Sequence, residues 1–171
     1  MRMLKRVALI ATLAALGCGG GGDDDNGNPT GPGPGPGAGG ATNGTFTVVL
    51  NGTTWSAQGT VTVSRQSNNF IGIAGSGFAG GTAYSIVVGI GNATGPGTRN
   101  LNVYAGGDGS SVIIGSTTVG YATSLQGGSG TLTITSLTSN RIVGTFSGTA
   151  LPSSGGGSNL VLTNGQFDIT F

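Results

Sequence analysis

The sequence predicts an all-β domain, a single antiparallel β-sandwich or closed β-barrel of about ten short strands, carried behind a Gly/Pro tether. Three observations predict it. From Thr45 onward apolar residues recur at every second position, Asn-Gly dipeptides mark tight turns, and no later stretch joins helical period to helix caps.

The chain opens on an export signal. Met1 to Arg6 carries three positive charges, Val7 to Leu16 is apolar apart from Thr12, and Gly17 precedes Cys18, the only cysteine. Ten helical residues rise about 15 Å, half of a ~30 Å hydrocarbon core, so residues 1–17 read as a signal peptide and not a spanning helix. Ala15-Leu16-Gly17-Cys18 resembles the bacterial lipobox, in which a diacylglyceryl group joins the cysteine sulfur before cleavage between Gly17 and Cys18. The usual leucine is displaced by one position. The resemblance implies a palmitate-type lipid anchor on Cys18 and, with Gly19 next to it, the outer membrane of the cell envelope.

Residues 18–41 form the lipidated cysteine and a Gly/Asp/Pro linker. It has no apolar periodicity, alternates Gly with Pro around Pro32, Pro34 and Pro36, and should be disordered. Asp23, Asp24 and Asp25 read as a solvated spacer, because calcium needs six to eight oxygens in a prepared geometry.

Residues 42–171 form the β domain, long enough to bury roughly 65–70% of its unfolded surface. Phe46, Val48 and Leu50 open the alternation, followed by Val61 and Val63, then Tyr84, Ile86, Val88 and Ile90. Leu101, Val103 and Ala105 continue it, then Leu132 and Ile134. Ile142, Gly144, Phe146, Gly148 and Ala150 follow, and Phe167, Ile169 and Phe171 close the chain. Thr, Ser and Asn fill most intervening positions, so one face is buried and the other hydrated without charge. Asn51-Gly52 and Asn164-Gly165 are the dipeptides of type I′ hairpins. Such strands must stack as two sheets or close on themselves, and the sandwich is the favoured form. Gly144 and Gly148 flank Phe146 at period two, which predicts a ring lying over residues without side chains, or a bulge in a neighbouring strand.

Asn51-Gly52-Thr53-Thr54-Trp55, Gly130-Thr131-Leu132-Thr133-Ile134, Gly144-Thr145-Phe146-Ser147-Gly148-Thr149-Ala150 and Thr163-Asn164-Gly165-Gln166-Phe167-Asp168 occur in order. Together they resemble a family of bacterial lipoprotein β-domains of unknown function, of the N-G-x-x-W … G-T-F-x-x-x-A … T-N-G-x-F-x-I type. The resemblance implies an all-β fold and carries no catalytic residues.

Chemistry is sparse. Without histidine, and with no lysine or glutamate after residue 17, the chain lacks His-based triads, Schiff-base lysines and His-dependent zinc sites, so no enzyme, metal site or cofactor is expected. Asp108, in a Gly-Gly-Asp-Gly loop, and Asp168, facing away from Phe167 and Ile169, are the only carboxylates of the domain. They are not expected to act as the facing pair a glycosidase uses. Arg65, Arg99 and Arg141 are too few and too scattered for nucleic acid. Gly75-Ser76-Gly77-Phe78-Ala79-Gly80 matches G-x-G-x-x-G after a strand at 69–74, but no helix follows, so it reads as a turn.

The expected function is a membrane-anchored, non-catalytic module displayed at the cell envelope, in contact with an envelope protein or glycan. A small-ligand carrier, lipocalin-like, is the alternative, with Trp55, Tyr84, Tyr104 and Tyr121 lining a cavity. An integral outer-membrane barrel is the third reading. Against it, the strands look nearer six or seven residues than the 9 to 11 that span lipid.

Overall fold

The computed structural model describes residues 40–102, 106–153 and 157–171, with side chains from Asn43 onward. The signal, Gly17, Cys18, the tether up to residue 39, and Val103, Tyr104 and Ala105 lie outside these residues.

Eleven strands follow in chain order: β1 (Gly40–Leu50), β2 (Thr53–Ala57), β3 (Val61–Arg65), β4 (Ile71–Ala79), β5 (Thr82–Ile90), β6 (Gly97–Asn100), β7 (Ser111–Ser116), β8 (Gly120–Ala122), β9 (Ser129–Leu137), β10 (Arg141–Pro152) and β11 (Leu160–Thr170). All pairings are antiparallel. The order β11-β1-β2-β4-β5-β7-β8-β10 closes on itself because β10 also pairs β11, so eight strands make a barrel. β3 extends the position of β2 between β1 and β4, and β9 with β6 branches from β10. The favoured sandwich is therefore corrected to a closed barrel. Along the described path closure leaves open the edge of β6 and the part of β9 that β6 does not reach.

The alternation places its apolar set inside. Phe46, Trp55, Ile73, Ile86, Val88, Ile114, Leu132, Ile142, Phe146, Phe167 and Ile169 are all buried in one cluster. Phe46 meets Trp55 edge-on at 5.1 Å, Phe146 lies 6.1 Å from Phe46, and Phe167 stacks on Phe146 at 6.5 Å. This chain of rings runs through the core of the barrel. Glycines make room for it. A Cβ on Gly75 would stand 3.2 Å from Phe46 and 3.4 Å from Trp55, and one on Gly165 would stand 2.7 Å from Phe146.

Asn51 and Gly52 have φ of 46° and 85° and join β1 to β2 as the hairpin the sequence predicts. Asn164-Gly165 does not form the expected turn. Asn164 has φ 50°, Gly165 is not in the left-handed region, and both residues lie inside β11. Positive φ at one residue makes a bulge, whereas a type I′ turn needs it at both. Facing β10, Thr163 and Asn164 stand opposite the single residue between Phe146 and Gly148. The bulge resets the parity of β11: Leu160 and Leu162 point inward before it, and Gly165, Phe167 and Ile169 after it.

Other expectations also need correction. Of the strand read at Leu101, Val103 and Ala105, only Leu101 is described, and it is buried immediately after β6; Val103 and Ala105 lie outside the described residues. The strand placed at 69–74 runs on to Ala79, so only Gly80 and Gly81, with φ 56° and 81°, form the turn. β7, with Val112 and Ile114 buried, is a strand beyond those the sequence alternation predicts. Strand length is uneven, since β1, β10 and β11 have 11, 12 and 11 residues but β2, β7 and β8 have 5, 6 and 3, too short to span lipid. Facing is the stronger argument, because Thr, Ser, Asn and Gln dominate the outer positions that lipid would require to be apolar.

Candidate functional site

The residues singled out from the sequence scatter. Trp55 is fully buried, its ring filling the space above Gly75 and Gly77, and its indole N–H has no acceptor among the described residues. Tyr121 is half-buried against the core, and Tyr84 is half-buried where β5 begins. Tyr84 lines an outer groove whose lining includes neither Trp55 nor Tyr121, while Tyr104 and Cys18 lie outside the described residues.

Both carboxylates of the domain are engaged. Asp108 stands 3.2 Å from Arg99, and its Oδ1 accepts hydrogen bonds from the Ser110 backbone N–H and hydroxyl. Ser110 is fully buried and its Oγ accepts from the Gly91 N–H, so this loop is locked against the end of β5. Thr123, also buried, accepts from Val112 N and donates to the Leu101 carbonyl. These buried hydroxyls and the Asp108 pair tie the segment around β6 to β5 and β7, where no strand pairing joins them.

Asp168 takes both Arg141 Nε at 2.8 Å and Arg141 Nη2 at 2.6 Å on the outer surface. These hydrogen bonds hold the Asp168 carboxyl below, and the Arg141 guanidinium above, their ordinary ranges. Arg65 donates to the Thr138 carbonyl, with its guanidinium 4.7 Å from the centre of the Phe171 ring. All three arginines thus have structural partners.

Apart from the grooves lined by Arg141 with Asp168 and by Arg65, two outer grooves carry no charge. One, of about 490 Å³, crosses β9, β10 and β11 over the bulge and is lined by Thr131, Thr133, Thr145, Ser147, Asn164 and Gln166 together with Phe146 and Gly165. Phe146 is buried, so this groove presents hydroxyls and amides without an exposed ring. The other, of about 510 Å³, crosses β4, β5 and β7 and contains Phe78, Tyr84, Gln58, Ser76, Ser85, Ser116 and Thr117, with Gly77, Ala83 and Gly115. Phe78 is 54% exposed, more than any other large apolar side chain described. Neither groove has a charged lining residue.

Phe78 lies within the Gly75–Gly80 stretch that reads as a turn, which hides its place on a strand. Its signal is parity. Once the strand is carried through Ala79, with Ile71 and Ile73 inward, Phe78 falls on the outer face.

Compared with protein-family models, with curated proteins and with solved structures, the chain matches none.

Proposed function

We propose that the chain is a membrane-anchored bacterial lipoprotein, held through lipid on Cys18, that displays the barrel at the cell envelope as a non-catalytic interaction module. The observation that carries this reading is the division of the barrel's two faces. Its interior is filled by its own side chains, from Phe46 and Trp55 to Phe146 and Phe167, while its uncharged polar groups face out. A small barrel packed in this way interacts through its outer surface. Engagement of Asp108 and Asp168 with arginines supports binding rather than catalysis. The lipobox-like Ala15-Leu16-Gly17-Cys18, the tether and the resemblance to lipoprotein β-domains support the anchor. Two or more acyl chains, at about 0.8 kcal/mol per buried CH₂, hold a protein firmly to a membrane.

The carrier reading draws support from the eight-stranded closure, a size that holds one small ligand in some barrels. A carrier would show a large thermal shift with an apolar ligand.

The anchor is tested by producing the full chain in a bacterial host and comparing it with Cys18→Ala. The expected result is recovery in the membrane fraction with an intact mass that begins at a lipid-modified Cys18, and loss of both in the variant. An unmodified thiol, or a first residue later than Cys18, overturns the reading.

A further inference from the structure

We propose that the groove beside Phe78 binds a neutral saccharide, with the Phe78 ring against the C–H face of one sugar unit and the surrounding amide and hydroxyl groups on its hydroxyls. This rests on the interaction-module reading and gives that module its ligand class.

The first support is the ring itself. Across the sheet Phe78 pairs with Ser56 on one side and Ala83 on the other, both too small to cover it. Burying a phenylalanine side chain gains about 1.5–3 kcal/mol, which exposure here forgoes. An aromatic face is the negative pole of a quadrupole and attracts polarised C–H groups, which is what one side of a sugar ring offers.

The second is the polar surround. Gln58, Ser76, Ser85 and Thr117 make no side-chain hydrogen bonds among the described residues, whereas Ser116 Oγ is used by Val119. Hydroxyls and amides both give and accept hydrogen bonds, as saccharide hydroxyls do. A phosphate or carboxylate would find no cation, since the lining holds none and Arg65, Arg99 and Arg141 are engaged elsewhere.

The third is space. Nothing lies within 4 Å of where a Cβ on Gly115 would stand, so the groove is open there, and its volume of about 510 Å³ suits a small ligand. A second copy of the chain fits less well, because a stable interface takes about 800 Å² from each partner around an apolar centre. The apolar surface here, Phe78 with Ala83 and Tyr84 set among Gln58, Ser76 and Ser85, is far smaller than that.

The test is affinity electrophoresis of the full chain in detergent, through gels containing dextran, hydroxyethyl cellulose, mannan or neutral arabinoxylan. At least one polysaccharide should retard the protein. Phe78→Ala should weaken that retardation roughly tenfold, while Phe78→Tyr retains it and Thr145→Ala, in the other groove, leaves it unchanged. Retardation by none of the four overturns the proposal, as does retardation that Phe78→Ala leaves intact. So does a Phe78→Ala effect confined to sedimentation, which would mark self-association. The anchor reading fails separately, since Cys18→Ala changes membrane recovery and not electrophoresis in detergent. A thermal shift with a fatty acid and none with polysaccharide would instead replace the interaction module with a carrier.

Discussion

The ring of Phe167 occupies the space that a side chain on Gly144 would need. The two are cross-strand partners on β11 and β10, and a Cβ on Gly144 would stand 2.5 Å from Phe167 Cζ and 2.5 Å from the Thr133 carbonyl oxygen. The close approach comes from two sides and one is backbone, so it cannot be relieved by rotating a side chain. Gly144→Ala should cost about 2–3 kcal/mol, seen as a lower urea midpoint at unchanged slope. Gly115→Ala, with open space around it, should cost less than about 0.5 kcal/mol.

The bulge in β11 depends on one left-handed residue. Asn tolerates φ near 50° and glycine does so more readily, whereas a β-branched residue is strained there. Asn164→Gly should leave the denaturation midpoint nearly unchanged, and Asn164→Val should lose about 1–3 kcal/mol. Equal effects of the two substitutions would show that the bulge is not set by this torsion angle.

Thr123 holds two backbone groups that no strand pairing serves. Thr123→Val keeps the shape and removes the hydroxyl, leaving Val112 N–H and the Leu101 carbonyl without this partner. The expected loss is about 1–3 kcal/mol, with hydrogen exchange at Val112 faster than in the parent. Thr123→Ser, which keeps the hydroxyl, should recover most of the protection.

Acid should weaken the Arg141–Asp168 pair. Hydrogen bonding from Arg141 lowers the Asp168 carboxyl below its ordinary value of about 3.9, so its contribution is present above that pH and is lost as pH falls through the lowered value. A carbon-detected titration should find the Asp168 midpoint below that of a free aspartate, and Arg141→Gln should return it upward. Because the pair is half exposed, Asp168→Asn should flatten the acid limb of stability only slightly and change little at neutral pH.

Much of the fold is legible along the chain, because period two and side-chain polarity are local. Phe46, Val48 and Leu50, or Ile86, Val88 and Ile90, announce both a strand and its buried face without reference to any partner. Asn51-Gly52 is equally readable, since its two flanking runs pair directly. The second Asn-Gly has the same local chemistry and a different outcome, because β11 runs between β1 and β10 and accommodates an extra residue instead of reversing. β7 was hidden by its short alternation, and Phe78 by glycines that looked like a turn.

The sequence by itself determined an all-β domain, its inner and outer residues, and the shortage of groups able to do acid-base or metal chemistry. Those properties depend on composition and alternation. Tertiary structure decided that the strands close into a barrel, that Asn164 bends one of them, and that Phe78, Gln58, Ser85 and Thr117 share a groove. Closure and neighbourhood depend on which strands pair and in what register, and residues distant along the chain settle both together.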